Sequence, residues 1–211
     1  MGAAVQLPLK RISDYPAVRL QDDNEALMPH AYQIFTESHY AYFITCTVAN
    51  WRPIFTQAPY RQIVLDSLNY LRKHKRTQLN AYVIMPTHLH AVMWPEEGVN
   101  ESDVLRDFKR FTSRSISKEA LRLGDQDALS TFAGARASSR AQDVSQFQVW
   151  QEGSHAEAIF TFKFAEQKIN YIHANPVRAG LATSPEEWPC SSARAYHCGE
   201  ETYPPTDVLL P

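Results

Sequence analysis

Two histidines one residue apart, in His88-Leu89-His90, are the side chains best spaced for joint chemistry. Alternate residues of a β-strand face the same way, so both imidazoles would project together, ~6–7 Å apart along the chain, with Leu89 turned inward. Two imidazoles on one rigid strand are half of a divalent-metal site. The same spacing also fits two histidines satisfied by neighbours or by water, and the pattern alone does not choose. Tyr171 and Asn175 lie four residues apart, which on a helix makes them neighbours on one face. The apolar stripe of that helix would be Phe162, Ala165, Ile169 and Ile172, which leaves Tyr171 on a flank with Lys168 and Asn175. A phenol there could reach a cleft as a nucleophile, or could be half-buried with its hydroxyl in water. His173 falls on nearly the opposite side and is expected to be structural.

Cations form a second group. Arg106, Lys109, Arg110, Arg114 and Lys118 face a single anion, Asp107, and a further basic run spans 72–76. A charged stripe is usually the solvated face of a helix, and it binds phosphate only where its cations converge. Serine and thiol nucleophiles have less support. Ser191 and Ser192 lack a G-x-S-x-G elbow, and Cys46 sits inside a strand.

These residues need a scaffold, and the spacing of apolar residues predicts one. The run 40–48 is aromatic and β-branched, as in a buried strand. Pro59 opens a helix with Ile63, Val64, Leu68 and Leu71 at helical spacing. Strands at 79–85 and 87–94 are separated at Pro86. A helix over 102–123 has Val104 or Leu105, Phe108, Thr112 and Ile116 inside, with Arg106, Lys109, Arg110 and Arg114 outside. Residues 124–146 show no period, and a flexible insertion is expected there. The segment 147–151 predicts a strand, and 161–175 predicts a helix stopped by Pro176. Ser184, Pro185 and Glu187 predict a capping box and a short helix. The order β-α-β-β-α-β-α points to an α+β fold of antiparallel strands covered by helices.

Composition narrows the class. The 211 residues suit one domain, here 36–198, with a polar N-terminal arm at 1–35 and a C-terminal tail at 199–211. The net charge of −2 means that any nucleic-acid surface must be a local patch. Three cysteines without C-x-x-C spacing exclude a thiolate zinc site and fit a reducing, cytoplasmic setting. No apolar run approaches membrane-spanning length, so no membrane partner is expected. No phosphate-binding glycine loop is present, so no nucleotide cofactor is expected either.

Read together, several blocks resemble a known family. They are Y-F-I-T-C-T-V with its leading Tyr40, A-Y-V-I-M-P-T-H-L-H at 81–90, L-R-D-F-K-R-F-T-S at 105–113, V-W-Q-E-G-S-H-A at 149–156, Y-I-H-A-N-P-V-R-A-G-L at 171–181 and W-P-C-S-S-A-R at 188–194. In this order they resemble the REP-associated tyrosine transposases, members of the histidine-hydrophobic-histidine (HUH) endonucleases that act on single-stranded DNA. The resemblance spans about 40–196 and departs at Thr87, where the family usually has Asn.

The resemblance implies a ferredoxin-like antiparallel sheet with the histidines on a central strand and the tyrosine on a C-terminal helix. It makes His88 and His90 the metal-binding pair, Tyr171 the nucleophile and Asn175 a third metal ligand. Arg106, Lys109, Arg110, Arg114, Lys168 and Arg178 are then expected to contact DNA. The implied substrate is a DNA hairpin of a repetitive extragenic palindrome, cleaved and rejoined through a 5′-phosphotyrosine, by a monomer or a homodimer. A hairpin-binding protein without cleavage is the alternative. A tyrosine hydroxyl ordinarily ionises near pH ~10, so a phenol nucleophile needs help from a nearby cation. Lys168 and a divalent ion, Mg2+ or Mn2+, would supply it.

Overall fold

The computed structural model describes residues 40–139, 146–153 and 155–209, so the expected arm at 1–35 lies outside the described residues. Four strands, β1 (Ala41–Thr47), β2 (Thr77–Met85), β3 (His88–Pro95) and β4 (His155–Ile159), form one antiparallel sheet in the order β2-β3-β1-β4. With helices between the strands, this is the expected ferredoxin-like α+β arrangement. The inner strands are β1 and β3.

Alternation along β1 divides the interior into two layers. Tyr42, Ile44 and Cys46 point into a core with Val64 and Leu68 of α1 (Ala58–His74) and Val104 and Phe108 of α2 (Glu101–Leu123). Ala41 and Phe43 point the other way, with Val83 and Val92, against Ala165, Ile169 and Ile172 of α4 (Phe162–Arg178). Each fully buried Leu, Ile, Val or Phe contributes roughly 1.5–3 kcal/mol by leaving water. The sheet is thus held from both sides, and α4 has a fixed seat across it. Helix α2 starts at Asn100, whose side chain accepts the Ser102 amide at 2.9 Å, and stops at Gly124, where φ is 67°.

Three expectations need correction. First, the 124–146 segment is not a structureless insertion, because 126–138 form helix α3 (Gln126–Ser138). Asp125 caps it by accepting the Ala128 amide at 3.0 Å, and Ala128, Leu129 and Phe132 are buried. One turn of apolar contact is too short to show as a period. Residues 140–145 lie outside the described residues.

Second, 147–151 is an extended segment making a single isolated bridge, Val48 with Trp150. The strand that completes the sheet is β4, whose sequence HAEAI has little β-propensity. Trp150 anchors the extended segment, donating its indole N–H to Thr112 Oγ1 at 2.8 Å.

Third, α4 does not stop before Pro176 but runs through it to Arg178. Proline there forfeits the one helix bond that an N–H at 176 would make to the Ile172 carbonyl, a loss confined to the last turn. The helix is closed instead by Gly180 at φ 69°, where Gly180 N–H bonds the Val177 carbonyl and Leu181 N–H the Pro176 carbonyl, both at 2.9 Å.

The expected C-terminal tail, over its described residues, is docked on the domain. Asp207 N–H donates to the Leu79 carbonyl at 2.8 Å, and Leu209 is buried. No helix among the described residues is long and apolar enough to cross a membrane.

Candidate functional site

His88 opens β3 immediately after the turn at Pro86-Thr87, and His90 follows on the same side of the strand. In register, His90 pairs with Thr45 of β1 and Val83 of β2, so the imidazoles stand over the middle of the sheet. Leu89 between them is fully buried in the opposite layer. The two rings meet edge to face with centroids 4.7 Å apart.

Each ring is held at Nδ1 by a threonine. His90 Nδ1 lies 2.8 Å from Thr45 Oγ1, and His88 Nδ1 lies 2.9 Å from Thr87 Oγ1. With the proton on Nδ1, both hydroxyls accept and both Nε2 lone pairs are left for another partner. Burial lowers the pKa of both imidazoles. That of His90 is pushed down to about 3, by desolvation first and by the neighbouring His88 second. Both are therefore neutral near pH 7, the form that donates to a metal.

Helix α4 brings the phenol over this pair. The Tyr171 ring lies 5.4 Å from the His90 ring at 68°, and 6.0 Å from Phe43, which itself stacks on His90 at 5.3 Å. Burial of Ile169 and Ile172 fixes the rotation of the helix, and Tyr171 on its flank stays 38% exposed. The guanidinium of Arg178 sits 5.5 Å from the Tyr171 ring centroid. Lys168 is near but engaged. Its ammonium lies between the Phe43 and Phe164 rings and donates to Glu157 at 2.6 Å. Asn175 is half-buried one turn beyond Tyr171.

The structure thus brings His88, His90, Tyr171, Lys168 and Arg178 to one face of the sheet. It does not bring the α2 cations there, because α2 packs on the other face. Arg106 is paired with Asp103 at 2.7 Å and Arg110 with Asp107 at 3.3 Å, while Arg114 is exposed. Lys109 is a correction. It points inward rather than outward, donating to the Gln151 carbonyl at 3.1 Å, and burial lowers the pKa of its ammonium.

His173, expected to be structural, is buried and lies 2.9 Å from Ser192 Oγ through its Nε2. Three residues of the site went unnoticed in the sequence: Thr45, Phe43 and Glu157. Only the register of β1 against β3 and β4 identifies them, and no local pattern records it.

No three His, Cys, Asp or Glu side chains among the described residues form a metal-holding cluster. The two imidazoles could offer a cation two nitrogen donors, and Asn175, the third ligand expected from the sequence, is half-buried on α4. Such an arrangement can hold a cation with positions left open, beside a phenol able to attack. Fold and site together define a ferredoxin-like domain with an imidazole pair on an inner strand and a phenol from a helix laid across it.

No family model matches the chain, and no curated protein matches it. Among solved structures, the chain is similar to the REP-associated tyrosine transposase bound to a REP hairpin, with a TM-score of 0.58 and 20% identity over 81% of this chain and 87% of that one. At that identity the likeness establishes the fold.

Proposed function

We propose that this chain is a transposase-type endonuclease that binds single-stranded DNA hairpins and cleaves and rejoins them through Tyr171. The observation that carries the proposal is the contact of the Tyr171 ring with His90, itself paired with His88 and held by Thr45. The fold shared with a transposase bound to a REP hairpin supports the substrate class.

In the reaction, the Tyr171 hydroxyl loses its proton to solvent and its oxygen attacks the scissile phosphorus. The bond from phosphorus to the 3′ oxygen breaks, and that oxygen leaves as a hydroxyl after taking a proton from solvent. The product is a 5′-phosphotyrosine, whose ester energy lets the 3′-hydroxyl of another strand reverse the step without ATP. Arg178, beside the phenol, contacts the phosphate. Lys168, tied to Glu157, acts by holding that wall of the site together rather than as a free cation.

The donor set fits a divalent ion. Two neutral imidazoles with engaged Nδ1 atoms would bind it through Nε2, and Asn175 would add an amide oxygen. When bound, Mg2+ or Mn2+ would supply polarisation of a non-bridging phosphate oxygen. Imidazole ligands favour Mn2+ of the two. Two or three protein ligands leave positions for phosphate and water, as catalysis needs.

The test is incubation with a radiolabelled hairpin oligonucleotide and Mn2+, followed by denaturing electrophoresis. A covalent adduct is expected from the wild type, lost with chelator and lost in Tyr171→Phe while hairpin binding persists. Tight binding with no adduct under any ion would replace cleavage with a purely DNA-binding role. Retention of the adduct in Tyr171→Phe would remove the nucleophile from the proposal.

A further inference from the structure

Trp51 is the exposed tryptophan of the four in the chain, at 59%, while Trp150 is buried and Trp94 and Trp188 are half-buried. It stands beside the site, its ring 6.0 Å from that of His88 at 75°. The backbone that displays it is unusual. Asn50 and Trp51 both adopt left-handed conformations, with φ of 53° and 54°. For a bulky residue that costs roughly 1–2 kcal/mol.

Such a conformation persists only if the surroundings fix it, and here they do. Val48 N–H donates to the Thr87 carbonyl at 2.9 Å, Ala49 N–H donates to the Val149 carbonyl at 2.7 Å, and Arg52 pairs with Asp127 at 2.9 Å. The turn is therefore tied to the residue preceding His88 on one side, and to helix α3 and the Trp150 segment on the other. A rigid, strained turn that holds a large aromatic ring in water next to a candidate catalytic pair is a feature that packing does not require.

Resting on the function proposed above, we infer that Trp51 is a stacking platform for a nucleobase of the single strand beside the scissile phosphate. The ring contacts run Tyr171, His90, His88, Trp51 in that order. In-line attack puts the leaving oxygen on the side of the phosphorus opposite the phenol. A phosphate between the phenol and the imidazoles would therefore have its leaving-side nucleotide toward the His88 and Trp51 end of this row. Stacking on an indole face tolerates any base, so the platform positions the strand while sequence is read elsewhere. Trp51 is a positioning residue in this scheme and takes no part in proton or phosphoryl transfer.

The probes are two DNA hairpins, one blunt and one carrying a short random-sequence single-stranded extension at the foot of its stem. Tryptophan fluorescence of the wild type is expected to be quenched by the extended hairpin. Trp51→Ala is expected to weaken binding of the extended hairpin about five- to a hundred-fold, to lose the quenching and to leave blunt-hairpin binding unchanged. Trp51→Phe is expected to retain most of the affinity. Equal binding of the extended hairpin by wild type and Trp51→Ala, or equal weakening for both hairpins, would overturn the platform while leaving the proposed function standing. If the wild type binds neither hairpin, the proposed function fails and the platform fails with it.

Discussion

The imidazole pair is held by two small neighbours. Thr45 and Thr87 contact the Nδ1 atoms and orient the rings, and with the proton on Nδ1 the hydroxyls accept its hydrogen bond and Nε2 is left for a ligand. Thr45→Val and Thr87→Val should each weaken Mn2+ binding about 10–100-fold, as measured by calorimetry. Thr87→Asn should keep much of the affinity, since its amide oxygen can also accept from Nδ1. His88, His90 and Tyr171 were legible in the sequence because period-2 and period-3.6 spacing fixes faces without knowledge of the fold. Thr45 was not legible. It lies 45 residues from His90, and only the antiparallel register brings it there.

Residue-scale electrostatics also predict an acid sensitivity. Desolvation pushes His90 down to about 3 and His173 down to about 4, both from an ordinary 6.5. As pH falls through 6.5 the unfolded chain takes up protons that the folded chain refuses, so stability is full above pH 6.5 and declines towards pH 4 and below. For His173 alone the loss is about 3 kcal/mol when complete. Denaturant unfolding at pH 7 and pH 4.5 should show it, and His173→Gln should flatten the profile. An unchanged pH dependence in that variant would contradict the buried, neutral His173.

At the scale of elements, α4 decides whether the phenol reaches the imidazoles. Its rotation is set by Ala165, Ile169 and Ile172, and its end by Gly180. Gly180→Ala should cost about 1 kcal/mol by forcing a Cβ into the left-handed region, lowering the melting temperature by a few degrees. Ile172→Ala, at a fully buried position, should cost 2–5 kcal/mol, roughly. Of the elements, β1, α1, β2, β3 and α2 were readable within a few residues, since each carries a long apolar period. Strand β4 was not, because its alanines pack only after β1 is in place, and α3 shows one apolar turn. Pro176 misled because the bias of the residue before proline away from helical geometry is a tendency, and at Asn175 the helix overrides it.

For the whole molecule, the sheet has an outer edge at β2 that the C-terminal segment covers. Ile84 N–H donates to the Cys190 carbonyl at 2.8 Å, Ser192 N–H to the Tyr82 carbonyl at 3.0 Å, and Asp207 N–H to the Leu79 carbonyl at 2.8 Å. Asp207 also accepts twice from Arg72, at 2.6 and 2.9 Å. An uncovered edge invites pairing between chains. Asp207→Ala should therefore destabilise by about 1.5–3 kcal/mol, and deletion of 199–211 should promote aggregation visible by light scattering. This closure was invisible in the sequence. The tail has little hydrophobic pattern, and it is held by backbone and side-chain hydrogen bonds together with burial of Leu209.

The most direct measurement is mass spectrometric mapping of protein digested after reaction with a hairpin oligonucleotide and Mn2+. The predicted result is a nucleotide-modified peptide carrying its phosphodiester on Tyr171, with a free 3′-hydroxyl on the released strand. Modification of a different residue, or strand scission to a free 5′-phosphate with no protein-linked nucleotide, would contradict attack by this phenol across the histidine pair.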